Sequence, residues 1–153
     1  MDIEVSRVVA AAAQEVWGVV TDLEGSPAVL TAVERVERLD DRPGFGVGTR
    51  WRETRTMLGR QATEEMEVTA VDAPSTYTVV AVNGATTYTS TIAVRSLATD
   101  RCELRMTFSG HSTGLVSRLL AATLGRLFAG ATRRSLQRDL EDIAGHVEGH
   151  RQD

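Results

Sequence analysis

The chain has no lysine: all 17 of its basic residues are arginine. That absence excludes Schiff-base catalysis and the lysine of a phosphate-binding loop. Cys102 is the only cysteine, so no internal disulfide can form, and its alternation with Leu104 and Met106 predicts a buried thiol rather than a nucleophile. No uninterrupted apolar stretch approaches the roughly 20 residues of a membrane span. The start, Met1-Asp2-Ile3-Glu4, lacks the basic and apolar regions of a secretory signal. These features predict a cytoplasmic protein without stable membrane insertion. A basic excess is missing too: the net charge is −4, which argues against a nucleic-acid partner. Aromatic residues are scarce, at 5% of the chain, which limits how well a large interior can be filled.

What is present is enough for one domain spanning residues 1–153, with 42% hydrophobic residues to form its core. Ile3 to Val9 reads as a strand. Val16, Val19, Val20 and Leu23 then have helical spacing. Gly25 ends that helix, while Ser26 caps and Pro27 starts a second short one running to about Thr31. Val33 to Leu39 is a strand. A meander follows over Thr49 to Met57, Gln61 to Val71, Tyr77 to Val82, Ala85 to Arg95 and Cys102 to Gly110. A helix from Leu115 to Val147 closes the chain, with Leu136, Leu140, Ile143 and Val147 on one face at i, i+4, i+7 and i+11. A long amphipathic helix after a run of antiparallel strands is an α+β arrangement, because the sheet must cover the helix's apolar face.

The segments Val8-Val9-Ala10-Ala11-Ala12-Ala13-Gln14-Glu15-Val16-Trp17 with Thr21-Asp22-Leu23, then Gly46-Val47-Gly48-Thr49-Arg50-Trp51 and Gly114-Leu115, resemble the SRPBCC superfamily. That superfamily includes START lipid-transfer domains, polyketide cyclases and quinone-binding proteins. Many relatives have proline where Ala12 stands, a departure that touches only the helix start. The resemblance covers nearly the whole chain. It implies a helix-grip fold, a curved seven-stranded antiparallel sheet wrapped round the C-terminal helix, with two short helices between strands 1 and 2 and a cavity between helix and sheet. Folds of this kind host unrelated functions, so function has to be argued from the cavity.

Strand registers show which side chains face that cavity. An even-length loop centred on Leu58-Gly59 makes opposed residue numbers sum to 117. Arg50 then faces Glu67 and Arg52 faces Glu65 on a solvated side. The other side carries Trp51 opposite Met66 and Glu53 opposite Glu64, with Arg55 and Ala62 beyond, and its apolar pair marks it as inward. A turn with Asn83-Gly84 at its centre predicts Tyr77 opposite Ser90 and Val79 opposite Tyr88. Leu104, Met106 and Phe108 alternate in the last strand. The expected lining is therefore Trp51, Met66, Tyr77, Tyr88, Leu104, Met106 and Phe108, with Glu53, Arg55 and Glu64 as a polar group. Leu120, Leu124 and Phe128 join it from the early part of the long helix. There Gly125 and Gly130 weaken the helix and leucines spread round the circumference, the pattern of a gate or, equally, of a helix start that packs closely on the two short helices.

An apolar pocket with a few convergent polar groups is the usual small-molecule site. The expected function is binding or carriage of a small hydrophobic molecule: a lipid, isoprenoid, quinone or polyketide-like aromatic. The sequence contains no cofactor motif, and the paired His146 and His150 are too few for a metal site. The alternative is a cyclase or dehydratase in which Glu53, Glu64, Tyr88 or His111 moves protons. Opposed Glu53 and Glu64 should repel and raise at least one pKa unless Arg55 compensates. The plainer structural reading has both carboxylates hydrated at the sheet rim, with Arg55 as scaffolding.

Overall fold

The computed structural model describes residues 2–57 and 59–149, and within the long helix the side chains of residues 116, 117 and 120–128 lie outside that description. Strand β1 (Asp2–Val9) is followed by helices α1 (Ala13–Val20) and α2 (Ser26–Val29). Then come β2 (Val33–Arg38), β3 (Arg50–Met57), β4 (Arg60–Asp72), β5 (Thr76–Asn83), β6 (Thr86–Ala98), β7 (Arg101–Ser112) and helix α3 (Leu115–Gly149). The strands form one seven-stranded antiparallel sheet in the order β1-β7-β6-β5-β4-β3-β2. Register shifts in the β2–β3, β4–β5 and β6–β7 pairings interrupt the ladder, and such irregularities add local bend and twist. The sheet curves round α3 in a helix-grip fold.

The β3–β4 register is the one the hairpin arithmetic requires: Trp51 opposes Met66, Glu53 opposes Glu64 and Arg55 opposes Ala62. On the other face Arg52 contacts Glu65 at 2.9 Å and Glu37 at 3.2 Å, and Arg50 contacts Glu65 at 3.7 Å. The β5–β6 hairpin departs from expectation. Gly84 and Ala85, not Asn83 and Gly84, form the turn, so Asn83 pairs with Thr86, Tyr77 with Ile92 and Val79 with Ser90. Gly84, with φ +61°, takes the first central position, where hairpin turns need positive φ. The slip is two residues along one strand. It changes the partners and keeps every side chain on its face, because strand periodicity is two.

At the second short helix the cap differs from the reading as well. Gly25 precedes the first turn and Ser26 lies inside it, its hydroxyl donating to the Asp22 carbonyl at 3.2 Å. Gly25 N–H donates to Asp22 Oδ1 at 3.2 Å, and a Cβ at residue 25 would fall 2.3 Å from Asp22 Oδ2, so a side chain there would displace the exposed Asp22 carboxylate from this bond.

The core is formed by Ile3, Val5 and Val9 of β1, Val16 of α1, Val94 of β6, Cys102 and Leu104 of β7, and Leu140, Ile143, Ala144 and Val147 of α3. The α3 stripe read from the sequence is the face that meets the sheet. Its C-terminal half is also tethered by side chains: Asp142 Oδ2 accepts hydrogen bonds from the Thr31 N–H and hydroxyl, both at 2.9 Å, and Glu148 accepts from Ala10 N–H at 3.0 Å. Leu104 has no solvent exposure. Leu104→Ala should cost about 2–5 kcal/mol of unfolding free energy, read as a fall in urea midpoint with unchanged slope; a loss below about 0.5 kcal/mol would contradict its place in the core.

Candidate functional site

Alternation along β3 turns Trp51, Glu53, Arg55 and Met57 toward α3, and the register brings Ala62, Glu64 and Met66 of β4 alongside. Tyr77, Val79 and Ala81 of β5 continue this concave surface, followed by Tyr88, Ser90 and Ile92 of β6 and Met106 and Phe108 of β7. From the other side α3 contributes Thr132, Ser135, Leu136, Asp139 and Ile143, while α1 and α2 close one end with Val19, Val20 and Val29. Between them lies a cavity of about 420 Å³. Most of its wall is aliphatic or aromatic. Tyr88 stacks on Phe108 with ring centroids 5.5 Å apart.

The charged lining groups among the described residues are Glu53, Arg55, Glu64 and Asp139. Arg55 reaches across the cavity from β3: Nη1 donates to Asp139 Oδ2 at 2.9 Å and to Ser135 Oγ at 3.2 Å, and Nε lies 3.4 Å from Glu53 Oε2. Asp139 is the important addition to the lining expected from the sequence. It lies three residues after Leu136 and four before Ile143, on the buried face, and its side chain is only 7% exposed. Thr132, Ser135 and Asp139, at i, i+3 and i+7, form a polar line on that face that the sequence does contain.

Burial drives the local electrostatics. It pushes the Asp139 carboxyl up to about 6; Arg55 opposes the rise, while Glu53 and Asp142 reinforce it. The Glu64 carboxyl is also raised, first by burial and then by Glu53, against the pull of Arg55. Repulsion between opposed carboxylates thus survives the presence of Arg55. The Tyr88 phenol is raised by burial and by Glu64, with a hydrogen bond from Thr86 acting the other way. Tyr77 is raised by burial, Glu53 and Asp139, but its hydroxyl is committed, donating to the Val20 carbonyl at 2.9 Å. The Trp17 and Phe45 rings lie T-shaped to its ring with centroids 5.9 and 4.8 Å away, and the hydroxyl's bond to Val20 ties α1 to the sheet.

The expected lining residues Trp51, Glu53, Arg55, Glu64, Met66, Tyr77, Tyr88, Met106 and Phe108 all border this one cavity. Leu104 does not. It faces inward as its alternation requires, but there α3 packs directly on the sheet and leaves no space. His111 is exposed and lies on the opposite face from Phe108 and Gly110, so the sheet separates it from the cavity. Leu120, Leu124 and Phe128, and with them most of the expected gate, lie outside the described residues.

Asp139 has a signature in the pH dependence of stability. Because its folded pKa, about 6, exceeds the ordinary 3.8, the folded state holds the extra proton between those values. Stability from this group is therefore fully present below the lower value and is lost as pH rises through the higher one. The shift corresponds to on the order of 3 kcal/mol. Relative to Asp139→Asn, the unmodified protein should lose stability by that order between pH 4 and pH 7 in parallel urea titrations; a difference that stays constant with pH would refute the assignment.

The geometry matches solved structures across the chain's length. The fold is similar to the Zhui aromatase/cyclase from Streptomyces sp. R1128, at TM-score 0.81 and 18% identity, covering 97% of this chain and 93% of that one. It is similar to a START superfamily protein from Mycobacterium smegmatis, at TM-score 0.79 and 15% identity over 97% of both chains. Norcoclaurine synthase from Thalictrum flavum aligns at TM-score 0.77 and 22% identity, covering 99% and 96% of the two chains. No curated protein matches the sequence. Residues 1–148 match the family described as polyketide cyclase / dehydrase and lipid transport, and the chain belongs to that family.

Proposed function

We propose that the protein binds a small, mostly apolar molecule in the cavity between sheet and α3, with a polar end against Glu53, Arg55, Glu64 and Asp139. The observation that carries this reading is the cavity itself, about 420 Å³, with an apolar wall and one concentrated polar group. The scarcity of aromatics explains why the space is not filled from within. The family description, spanning cyclases and lipid transport, agrees with an internal apolar ligand. Lipids, isoprenoids, quinones and polyketide-like aromatics all have the required character. Among the described residues no helix is long and apolar enough to cross a membrane.

A catalytic reading is favoured by one specific observation, the raised pKa values of Glu64 and Asp139 in the same cavity. A carboxyl that holds its proton toward neutral pH acts as a general acid to a ligand carbonyl, and its conjugate base takes a proton from the adjacent carbon. Such a pair would support enolisation and loss of water from a bound β-hydroxy ketone, with Tyr88 as a second donor. His111, on the far face, has no part in it.

Binding is tested by filling the space. Ser90→Trp, placed on the cavity wall, should weaken uptake of the neutral fluorescent probe N-phenyl-1-naphthylamine by about tenfold while circular dichroism stays unchanged. Unaltered uptake by a folded variant would refute an internal site. The catalytic reading adds that Glu64→Gln should abolish dehydration of a supplied β-hydroxy ketone polyketide mimic while probe uptake persists; absence of any turnover by the unmodified protein would leave binding as its function.

A further inference from the structure

The cavity is closed at one end by α1 and α2, and toward the opposite end its walls become exposed. Along β5 the inward residues run from buried Tyr77, Val79 and Ala81 to exposed Asn83, and along β4 from buried Val68 to exposed Ala62. The β5–β6 turn meets the junction of β7 with α3 at this end: Thr86 Oγ1 lies 2.9 Å from Ser112 Oγ, and Thr113 N–H donates to the Ala85 carbonyl at 2.9 Å. The first turns of α3 therefore stand beside the open end of the cavity.

The surface there is unusually apolar. Leu115 is 75% exposed and Leu119, one turn further along the same side of the helix, 60%. Val82, beside the β5–β6 turn, is 64% exposed. These are the three most exposed large apolar side chains among the described residues, and all stand at this one end. Clustered exposure of this kind marks an interaction site.

Charge is segregated to the same region. Between Met106 and Arg138 the chain holds no aspartate or glutamate and five arginines, although the whole protein has a net charge of −4. Arg118, exposed, lies between the two leucines, and exposed Arg60 stands at the tip of the β3–β4 hairpin. Asp2 and Glu34, the acids at the strand ends here, turn to the outer face of the sheet: Asp2 alternates with inward Ile3, and Glu34 accepts hydrogen bonds from Thr56 and Gln61. Screening confines electrostatic effects to about 8–10 Å, so this local surplus outweighs the acidity of the distant surface.

From the coincidence of exposed leucines, segregated positive charge and the open end of the cavity, we infer that this end of the protein docks on an anionic phospholipid bilayer. Leu115 and Leu119 enter the boundary between head groups and acyl chains, while Arg118 and Arg60 meet lipid phosphates, which guanidinium groups bind in bidentate fashion. The docking is peripheral, in keeping with the lack of any described helix long and apolar enough to cross a membrane. It goes beyond the binding reading above and rests on it for its purpose: the open end of an apolar cavity is brought against a store of apolar molecules. That continuity favours a bilayer over a second protein as the occupant.

The test is flotation of the full chain with vesicles of phosphatidylcholine alone and with about 30% phosphatidylglycerol added. Binding to the anionic vesicles should be at least about tenfold tighter than to the neutral ones and should weaken as salt rises. Leu115→Gln combined with Leu119→Gln, which keeps good helix formers, should weaken it about tenfold. Arg118→Gln should weaken it about fivefold, whereas Arg95→Gln, the same charge change at the far end of β6, should leave it unaltered. Urea midpoints and vesicle-free uptake of N-phenyl-1-naphthylamine should match the unmodified protein in every variant. No binding to anionic vesicles, equal binding to both kinds, full binding by the folded leucine variant, or an equal loss in Arg95→Gln would overturn the inference while probe uptake keeps the cavity standing. A solution dimer that the leucine substitutions dissociate, in place of vesicle binding, would assign the patch to a second copy and overturn it too. Docking without probe uptake by the unmodified protein would support the surface and refute the binding reading alone.

Discussion

The contact on which this architecture turns is the ion pair between Arg55 on β3 and Asp139 on α3, at 2.9 Å. The helix packs closely on β1 and β7, at one edge of the sheet, where Leu104, Leu140 and Ala144 interlock. At the other edge the sheet curves away, and β3 approaches α3 by side chains across the cavity. Arg55 is long enough to span that distance, and it does so inside the protein with both partners largely removed from water. Desolvation makes such a pair a weak source of stability, and the rise of Asp139 to about 6 measures that penalty. Its consequence is geometric: it sets how far the β3–β4 wing stands from the helix, and so the width of the cavity.

The two faces of β3 and β4 put similar residues to different use. On the convex side Arg50, Arg52, Glu37 and Glu65 form a hydrated network whose pairings contribute little. On the concave side the same residue types, one position along, lie against Trp51 and Met66 where water is scarce. There a carboxylate without a partner keeps its proton longer. The chemical character of the cavity comes from this change of medium rather than from any unusual residue.

Groups of this kind suit either carriage or catalysis. A carboxyl raised by burial can hold the polar end of a ligand by hydrogen bonds, or can exchange protons with a carbonyl as general acid. Membership in a family described by both cyclase chemistry and lipid transport fits a scaffold in which the apolar wall is common and the polar end decides the outcome.

Strand faces and the β3–β4 register were legible in the sequence because they are local. Side-chain alternation has a period of two, the apolar pair Trp51 and Met66 marks the inner side, and a tight hairpin transmits the register without reference to the rest of the chain. For the same reason the two-residue slip at Gly84-Ala85 altered the partners in β5 and β6 and no assignment of face. The apolar stripe from Leu136 to Val147 likewise located the buried side of α3. What remained hidden depends on distances between elements far apart in the chain. Nothing near Leu104 distinguishes it from Met106 and Phe108; only the docking of α3 on β7 closes the space over one and leaves it open over the others. Asp139 reads as one more charge among Arg138, Glu141 and Asp142 until Arg55, 84 residues earlier, is brought opposite it. Local periodicity determined which way each side chain points, and tertiary packing alone decided which of the inward ones meet protein and which meet an empty space.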